Sequence, residues 1–159
     1  QKTVCLKEYI LRTTNTLSAV IKENNISIVD QTPANLVVKA IPAYLDSILL
    51  NFTSNAIKYR STKRASYIKF CTEVKSKEIM LTIEDNGLGM DLKKYGERLF
   101  GMYNTFHKHK DSRGIGLFIT KNQIEAMGGR VTVESTIDVG TTFTIYLPYE
   151  EAYTNSLSY

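Results

Sequence analysis

The run from Glu78 to Ile83 alternates as a strand does, and the position that continues it inward is charged. Ile79, Leu81 and Ile83 share one parity, hence one face, and such a face belongs to a core. Asp85 continues that row. A carboxylate at an inward position costs free energy unless donors satisfy it. Gly87 and Gly89 follow within Glu84-Asp85-Asn86-Gly87-Leu88-Gly89-Met90, where backbone can turn sharply or approach a ligand closely. A strand end of this kind presents one acceptor into a pocket roofed by bare backbone. Asp-Asn-Gly is also a hairpin signal, so this stretch by itself leaves a turn and a pocket both open.

At 159 residues the chain is expected to form one domain, with a core over about 4–148 and a frayed tail over 149–159. Asp, Glu, Lys and Arg punctuate every segment, and no apolar run reaches the length of a membrane span. The first residues carry no signal-peptide pattern, and without an initial methionine the chain reads like an excised piece. Cys5 and Cys71 fit no metal spacing and no disulfide framework, as expected of reduced thiols in a cytosolic protein. A net charge of +4 is too mild to argue for nucleic acid.

Leu6, Tyr9, Ile10, Thr13, Leu17, Val20 and Ile21 recur at helical spacing, predicting one amphipathic helix from Val4 to about Lys22, stopped at Asn24-Asn25. Short strands are expected at Ile26 to Val29 and Leu36 to Lys39, with a turn at Thr32-Pro33. A second helix opens at Pro42 and runs to Tyr59, with Leu45, Ile48, Leu49, Phe52, Ala56 and Tyr59 as its apolar stripe. Asn51, Asn55 and Lys58 line up beside that stripe at i, i+4, i+7. Amide oxygens suit Mg²⁺ and a lysine suits phosphate; a polar shoulder on a surface helix would look the same.

Arg60 to Arg64 is a basic turn. Tyr67 to Val74 and Ile79 to Glu84 read as a hairpin joined at Lys75-Ser76-Lys77. Met90 to Arg113 has no clean period and is basic, as a lid over phosphates or a solvated loop would be. Gly114 and Gly116 then precede a helix from Phe118 to Met127, where exposed N–H groups and the helix dipole favour an anion. Val131 to Ser135 and Thr141 to Leu147 close the chain as a strand pair around Asp138-Val139-Gly140. Phe143, Ile145 and Leu147 point inward, and Thr141 shares their parity.

Asn-x-x-x-Asn-x-x-Lys on a helix, Asp-x-Gly-x-Gly after a strand, a basic lid, Gly-x-Gly-Leu opening a helix and Gly-Thr-Thr-Phe in the last strand occur in that order. Together, over roughly residues 4 to 148, they resemble the catalytic, ATP-binding domain of bacterial sensor histidine kinases, of the GHKL superfamily with the Bergerat fold. The resemblance implies an α+β, two-layer α/β sandwich whose mixed, mostly antiparallel sheet carries helices on one face. It implies ATP and Mg²⁺ as cofactors, with Asn55 ligating the metal, Asn51 beside it, Lys58 on phosphate and Tyr59 packing near the nucleotide. Asp85 would accept from the adenine amino group, and Gly87 and Gly89 would let backbone come close. Phe100 would anchor the lid. Gly114, Gly116 and Leu117 would hold phosphates, and Thr141 would lie near adenine. Arg113 or Lys110 is expected to stabilise charge on the transferring phosphoryl group. The chain departs from the pattern at Ser112, where a glycine is usual, and at Phe100-Gly101-Met102-Tyr103 in place of Phe-x-Pro-Phe.

In the family the acceptor histidine sits on a separate helical-hairpin dimerisation domain, and neither His107 nor His109 has an acceptor's setting. The chain is therefore expected to act on a histidine supplied by that domain of its parent, and not to autophosphorylate alone. A response regulator would take the phosphoryl group onward. No nucleic acid or direct membrane contact is expected. The location would be cytoplasmic, compatible with a membrane-anchored parent, and the fragment monomeric within a dimeric parent. An ATP hydrolase of the gyrase kind would carry a glutamate where Asn51 stands, and an amide cannot accept a proton at neutral pH. A serine kinase of the anti-sigma type and a non-catalytic nucleotide-binding module are the other readings.

Overall fold

The computed structural model describes residues 1–95, 99–100 and 113–150, the side chains of residues 95 and 113–116 apart. The expectations for His107, His109, Lys110, Ser112 and most of the lid lie outside the described residues. Among the described residues the order is β1 (Lys2–Cys5), α1 (Leu6–Thr16), α2 (Ser18–Glu23), β2 (Ser27–Gln31), β3 (Val37–Ala40) and α3 (Pro42–Lys58). Then come β4 (Tyr67–Lys75), β5 (Glu78–Asp85), α4 (Leu92–Tyr95), α5 (Arg113–Ala126), β6 (Arg130–Thr136) and β7 (Gly140–Pro148).

Five strands form one sheet in the order β2-β4-β5-β7-β6. Only β2 against β4 is parallel; the other three pairings are antiparallel. This is the α+β, mostly antiparallel architecture expected. The inward parity is apolar and buried on each central strand: Ile68 and Phe70, then Ile79, Leu81 and Ile83, then Phe143, Ile145 and Leu147. Leu45, Ile48, Leu49 and Phe52 of α3 join them in one continuous core. Lys69, Thr82, Glu84, Thr142 and Thr144, of the other parity, are not buried.

The α3 helix opens with Pro42, whose missing N–H costs nothing in a first turn. It is buried on more than a stripe, since Thr53 and Ile57 are covered as well. It packs against α1, α5 and β5, so it is the central helix of its layer. Phe52 lies 4.5 Å from Phe143, centroid to centroid, and Phe100 meets Phe143 edge-on at 6.2 Å. Those rings tie the helix, the sheet and the start of the basic segment together.

Three local expectations need correction. The first helix begins at Leu6, and Lys2–Cys5 is instead a strand paired antiparallel with β3. The second short strand that the sequence predicts is present as β3, and with β1 it forms a two-stranded ribbon separate from the five-stranded sheet. The helix also breaks at Leu17 (φ −98°, ψ 13°). Just before the break, Thr13, Thr14 and Thr16 each donate a hydroxyl hydrogen bond to a carbonyl three or four residues back, a habit that bends helices. Finally, Tyr149 is not frayed: its N–H donates to the Lys77 carbonyl at 2.7 Å and its ring packs on the core. The stop at Asn24-Asn25 holds, with Asn25 at φ 51° and Ile26 N–H returning to Ile21.

No helix among the described residues is long and apolar enough to cross a membrane. Phe52→Ala is expected to lower unfolding free energy by about 3–5 kcal/mol, because the site sits between helix and sheet and cannot easily collapse. Urea denaturation at constant m-value checks this.

Candidate functional site

Asp85 is the last residue of β5, paired with Ile68 on one side and Thr141 on the other. Its Oδ1 accepts the N–H of Gly87 at 2.9 Å, part of the compensation an inward carboxylate needs. Beyond it the chain leaves the sheet and runs close to the C-terminus of α3. The Leu88 N–H donates to the Tyr59 carbonyl at 2.9 Å, and a Cβ on Gly87 would stand 2.6 Å from that oxygen. Gly89 has φ +69°, and a Cβ there would fall 2.0 Å from the Thr136 carbonyl oxygen. Both a left-handed conformation and the lack of space therefore demand glycine.

A narrow cavity forms between this loop, α3 and β7, lined by Asn55, Ala56, Tyr59, Asp85, Gly89, Met90, Thr141 and Phe143. Five sequence-predicted residues thus converge from three elements: Asn55 and Tyr59, Asp85 and Gly89, and Thr141. The cavity has an apolar floor in Ala56, Met90 and Phe143, with polar groups on its walls. That combination suits a flat heterocycle with a polar edge.

The remaining predicted residues have other places. Lys58 is exposed at the end of α3, its ammonium 5.2 Å from the Tyr59 ring centroid. Asn51 turns toward α5 and donates from Nδ2 to the Thr120 hydroxyl at 3.0 Å. The Leu117 side chain is fully buried in the core. Gly114 and Gly116 do not precede the helix, as the sequence suggested; they lie in the first turn of α5, which starts at Arg113. In a helix that starts at Arg113 the N–H groups of Arg113, Gly114 and Ile115 have no intrahelical partner, whereas Gly116 is the first residue placed to donate back within the helix, so the anion-binding argument passes from both glycines to Gly114.

Arg64 was legible only as part of a basic turn. Its guanidinium donates to three carbonyls at once: Asn86 at 2.7 Å, Gly87 at 2.8 Å and Asp138 at 2.7 Å. It thereby ties the loop after Asp85 to the β6–β7 turn. Asn86 adds a second brace, accepting from Tyr67 N–H and donating to the Ala65 carbonyl. Thr120 and Ser135 were also missed. Ser135 could have been found by parity, since it continues the row of Val131 and Val133 as Asp85 continues that of Ile83.

No cluster of three or more metal-ligating His, Cys, Asp or Glu side chains occurs among the described residues. A metal here would need oxygens from a ligand. Mg²⁺ is suited to that, taking one or two protein oxygens beside phosphates, and the Asn55 amide on the cavity wall is such an oxygen.

The family model of the histidine kinase-, DNA gyrase B- and HSP90-like ATPases matches residues 40–151. The chain belongs to that ATPase family. It is 32% identical over 119 residues to the signal transduction histidine-protein kinase ArlS of Staphylococcus aureus, which is 73% of this chain and 26% of ArlS. It thus spans about a quarter of the length of that relative. The fold is that of the catalytic domain of the histidine kinase ThkA, with a TM-score of 0.79 at 22% identity, covering 96% of this chain and 97% of that one. The Acinetobacter baumannii histidine kinase AdeS gives a TM-score of 0.74 at 19% identity, over 94% of this chain and 68% of that chain. Full-length ShkA, solved in complex with AMPPNP, gives 0.75 at 23%, over 93% and 31%.

The Tyr67 hydroxyl donates to Glu84 Oε2 at 2.5 Å, and this bond, then burial and the charges of Glu84 and Asp85, raise its pKa above the ordinary 10.0. A raised phenol pKa means that the folded state holds its proton longer. The stability it contributes is complete below pH 10 and falls as pH rises through that value toward the folded pKa. Difference titration of tyrosinate absorbance between wild type and Tyr67→Phe should show Tyr67 ionising late, and Glu84→Gln should bring it back toward the ordinary range.

Proposed function

We propose that this chain is the ATP-binding catalytic domain of a two-component sensor histidine kinase. It binds Mg-ATP and donates the γ-phosphoryl group to a histidine on a separate dimerisation domain of the same parent. The observation that carries this reading is the convergence of Asn55, Tyr59, Asp85, Gly89 and Thr141 on one cavity. Family membership and the kinase relatives support it.

Asp85 accepts from the adenine amino group, and Thr141 stands beside it in the sheet. Tyr59 and Met90 hold the ring. Asn55 would hold Mg²⁺, which when bound supplies charge neutralisation for the phosphates. Lys58, exposed at the helix end, can reach phosphate. Gly87 keeps the loop close to α3, and the N–H of Gly114 in the first turn of α5 faces phosphate oxygens, which Gly116 lets come close. Catalysis is then positioning and electrostatics. Asn51 serves by fixing α3 against α5, and with an amide there, in place of a carboxylate base, hydrolysis is disfavoured. Leu117 contributes packing at the same helix. Arg113 or Lys110 stabilises charge on the group in transfer. A response regulator receives the phosphoryl group from the histidine.

Calorimetric titration of ATP, with and without Mg²⁺, tests the nucleotide site. Asp85→Ala should weaken binding at least about tenfold, the scale for a hydrogen bond to a charged group. Asn55→Ala should remove most of the dependence on Mg²⁺. Binding indifferent to both substitutions would reject the site. For the transfer step, the histidine-containing domain is supplied and phosphohistidine is followed with labelled ATP. Arg113→Ala or Lys110→Ala should slow turnover, and unchanged rates in both would rule those side chains out.

A further inference from the structure

One cross-strand row of the sheet is polar where its neighbouring inward rows are apolar. Ser135 of β6 pairs with Thr141 of β7, and Thr141 pairs with Asp85 of β5. The next inward row along the same strands is Val133, Phe143 and Ile83. Thr141 and Asp85 line the cavity. Ser135 stands behind Thr141, and its Oγ has three neighbours. The Met90 N–H donates to it at 2.8 Å, the Gly140 carbonyl oxygen lies at 3.1 Å, and Thr141 Oγ1 lies at 2.8 Å.

A serine hydroxyl has one proton to give and two lone pairs to receive with. The Met90 N–H can only donate, and the Gly140 carbonyl can only accept. One arrangement makes all three contacts hydrogen bonds. The Ser135 proton goes to Gly140, one lone pair takes the Met90 N–H, and the other takes the Thr141 proton. Thr141 has then given its proton away from the cavity. Its oxygen offers only lone pairs to whatever binds there.

We infer that Ser135 is a positioning residue that fixes the Thr141 hydroxyl as an acceptor and thereby sets which purine the cavity takes; this rests on the ATP reading above. The Asp85 carboxylate, whose Oδ1 already accepts the Gly87 N–H, likewise offers lone pairs to the cavity. Two acceptors side by side select a ligand edge that carries donors. An exocyclic amino group brings two hydrogens on one nitrogen. An oxo group at the same place sets lone pairs against lone pairs, and buried groups left unpaired in this way discriminate strongly. Adenine is accepted and hypoxanthine rejected on this account. Loss of the Ser135 oxygen frees the Thr141 hydroxyl to rotate and donate, which favours the oxo ligand.

The test is the ratio of ATP to ITP affinity, measured by calorimetry for wild type, Ser135→Ala, Ser135→Thr and Ser135→Cys, together with Met90 amide hydrogen exchange without nucleotide. Wild type should prefer ATP. Ser135→Ala should narrow that preference by about five- to tenfold, the scale of one hydrogen bond made or lost, and should speed exchange at Met90. Ser135→Thr, which keeps the hydroxyl, should restore both. Ser135→Cys, a poorer donor and acceptor, should fall between and serves if the alanine variant does not fold. An unchanged ratio in Ser135→Ala and Ser135→Cys, or a weakening of both nucleotides by one common factor, overturns the inference. A wild-type chain that binds neither nucleotide overturns the ATP reading itself, and this inference with it.

Discussion

Everything at the candidate site depends on keeping a carboxylate at the inner end of a core strand. Asp85 sits in the middle of the sheet, with a paired strand on each side, where the two preceding inward positions are isoleucine and leucine. Burying it without partners would cost several kcal/mol. The surroundings answer with backbone. Gly87 supplies an N–H, and Gly140 lies so close that a Cβ on it would meet the Asp85 carbonyl oxygen at 2.0 Å. Glycine is therefore required on the neighbouring strand because of the aspartate's own backbone, independently of any ligand. The Arg64 guanidinium closes the arrangement from behind, collecting carbonyls that the departing chain would otherwise leave unpaired.

The aromatic contacts give this polar corner a rigid base. Phe143 lies one inward position after Thr141, so the strand that carries the hydroxyl also carries the ring packed, tilted by 31°, against Phe52. A shift of β7 by one residue would send the hydroxyl to the open face and the ring with it. Register and site geometry are thus set by the same packing. Phe100 touches the same ring and brings the end of the described part of the basic segment onto the floor shared with the cavity.

Much of this was legible because it is local. The α3 stripe, the β4–β5 hairpin and the β6–β7 pair follow from periodicity and turn chemistry, and the inward polar positions Asp85 and Thr141 follow from parity. Pairing of β1 with β3 could not be read so, since more than thirty residues separate the partners and Lys2–Cys5 is too short to show alternation. The break at Leu17 was hidden because the apolar period continues through it while threonine hydroxyls disturb the backbone. Arg64 was invisible as a brace because its partners are carbonyls, which every residue has. Ser135 obeyed the parity rule used for Asp85, but a serine on a strand edge carries no charge to draw notice. Glycine's low helix propensity points to a helix start beyond Gly116, yet a first turn, with few intrahelical bonds to make, accepts both Gly114 and Gly116.

The Asn51–Thr120 contact has a consequence for how the helical layer can slide. Two helices meeting through aliphatic side chains tolerate small axial offsets, since one methyl can replace another in a groove. A hydrogen bond between a half-covered amide and a fully covered hydroxyl tolerates only one, because every other offset strands a polar group. The pair acts as a dowel between α3 and α5. One helix bears the cavity's amide wall and the other ends in first-turn N–H groups that lack intrahelical partners, so the dowel holds fixed the distance between that wall and that helix end.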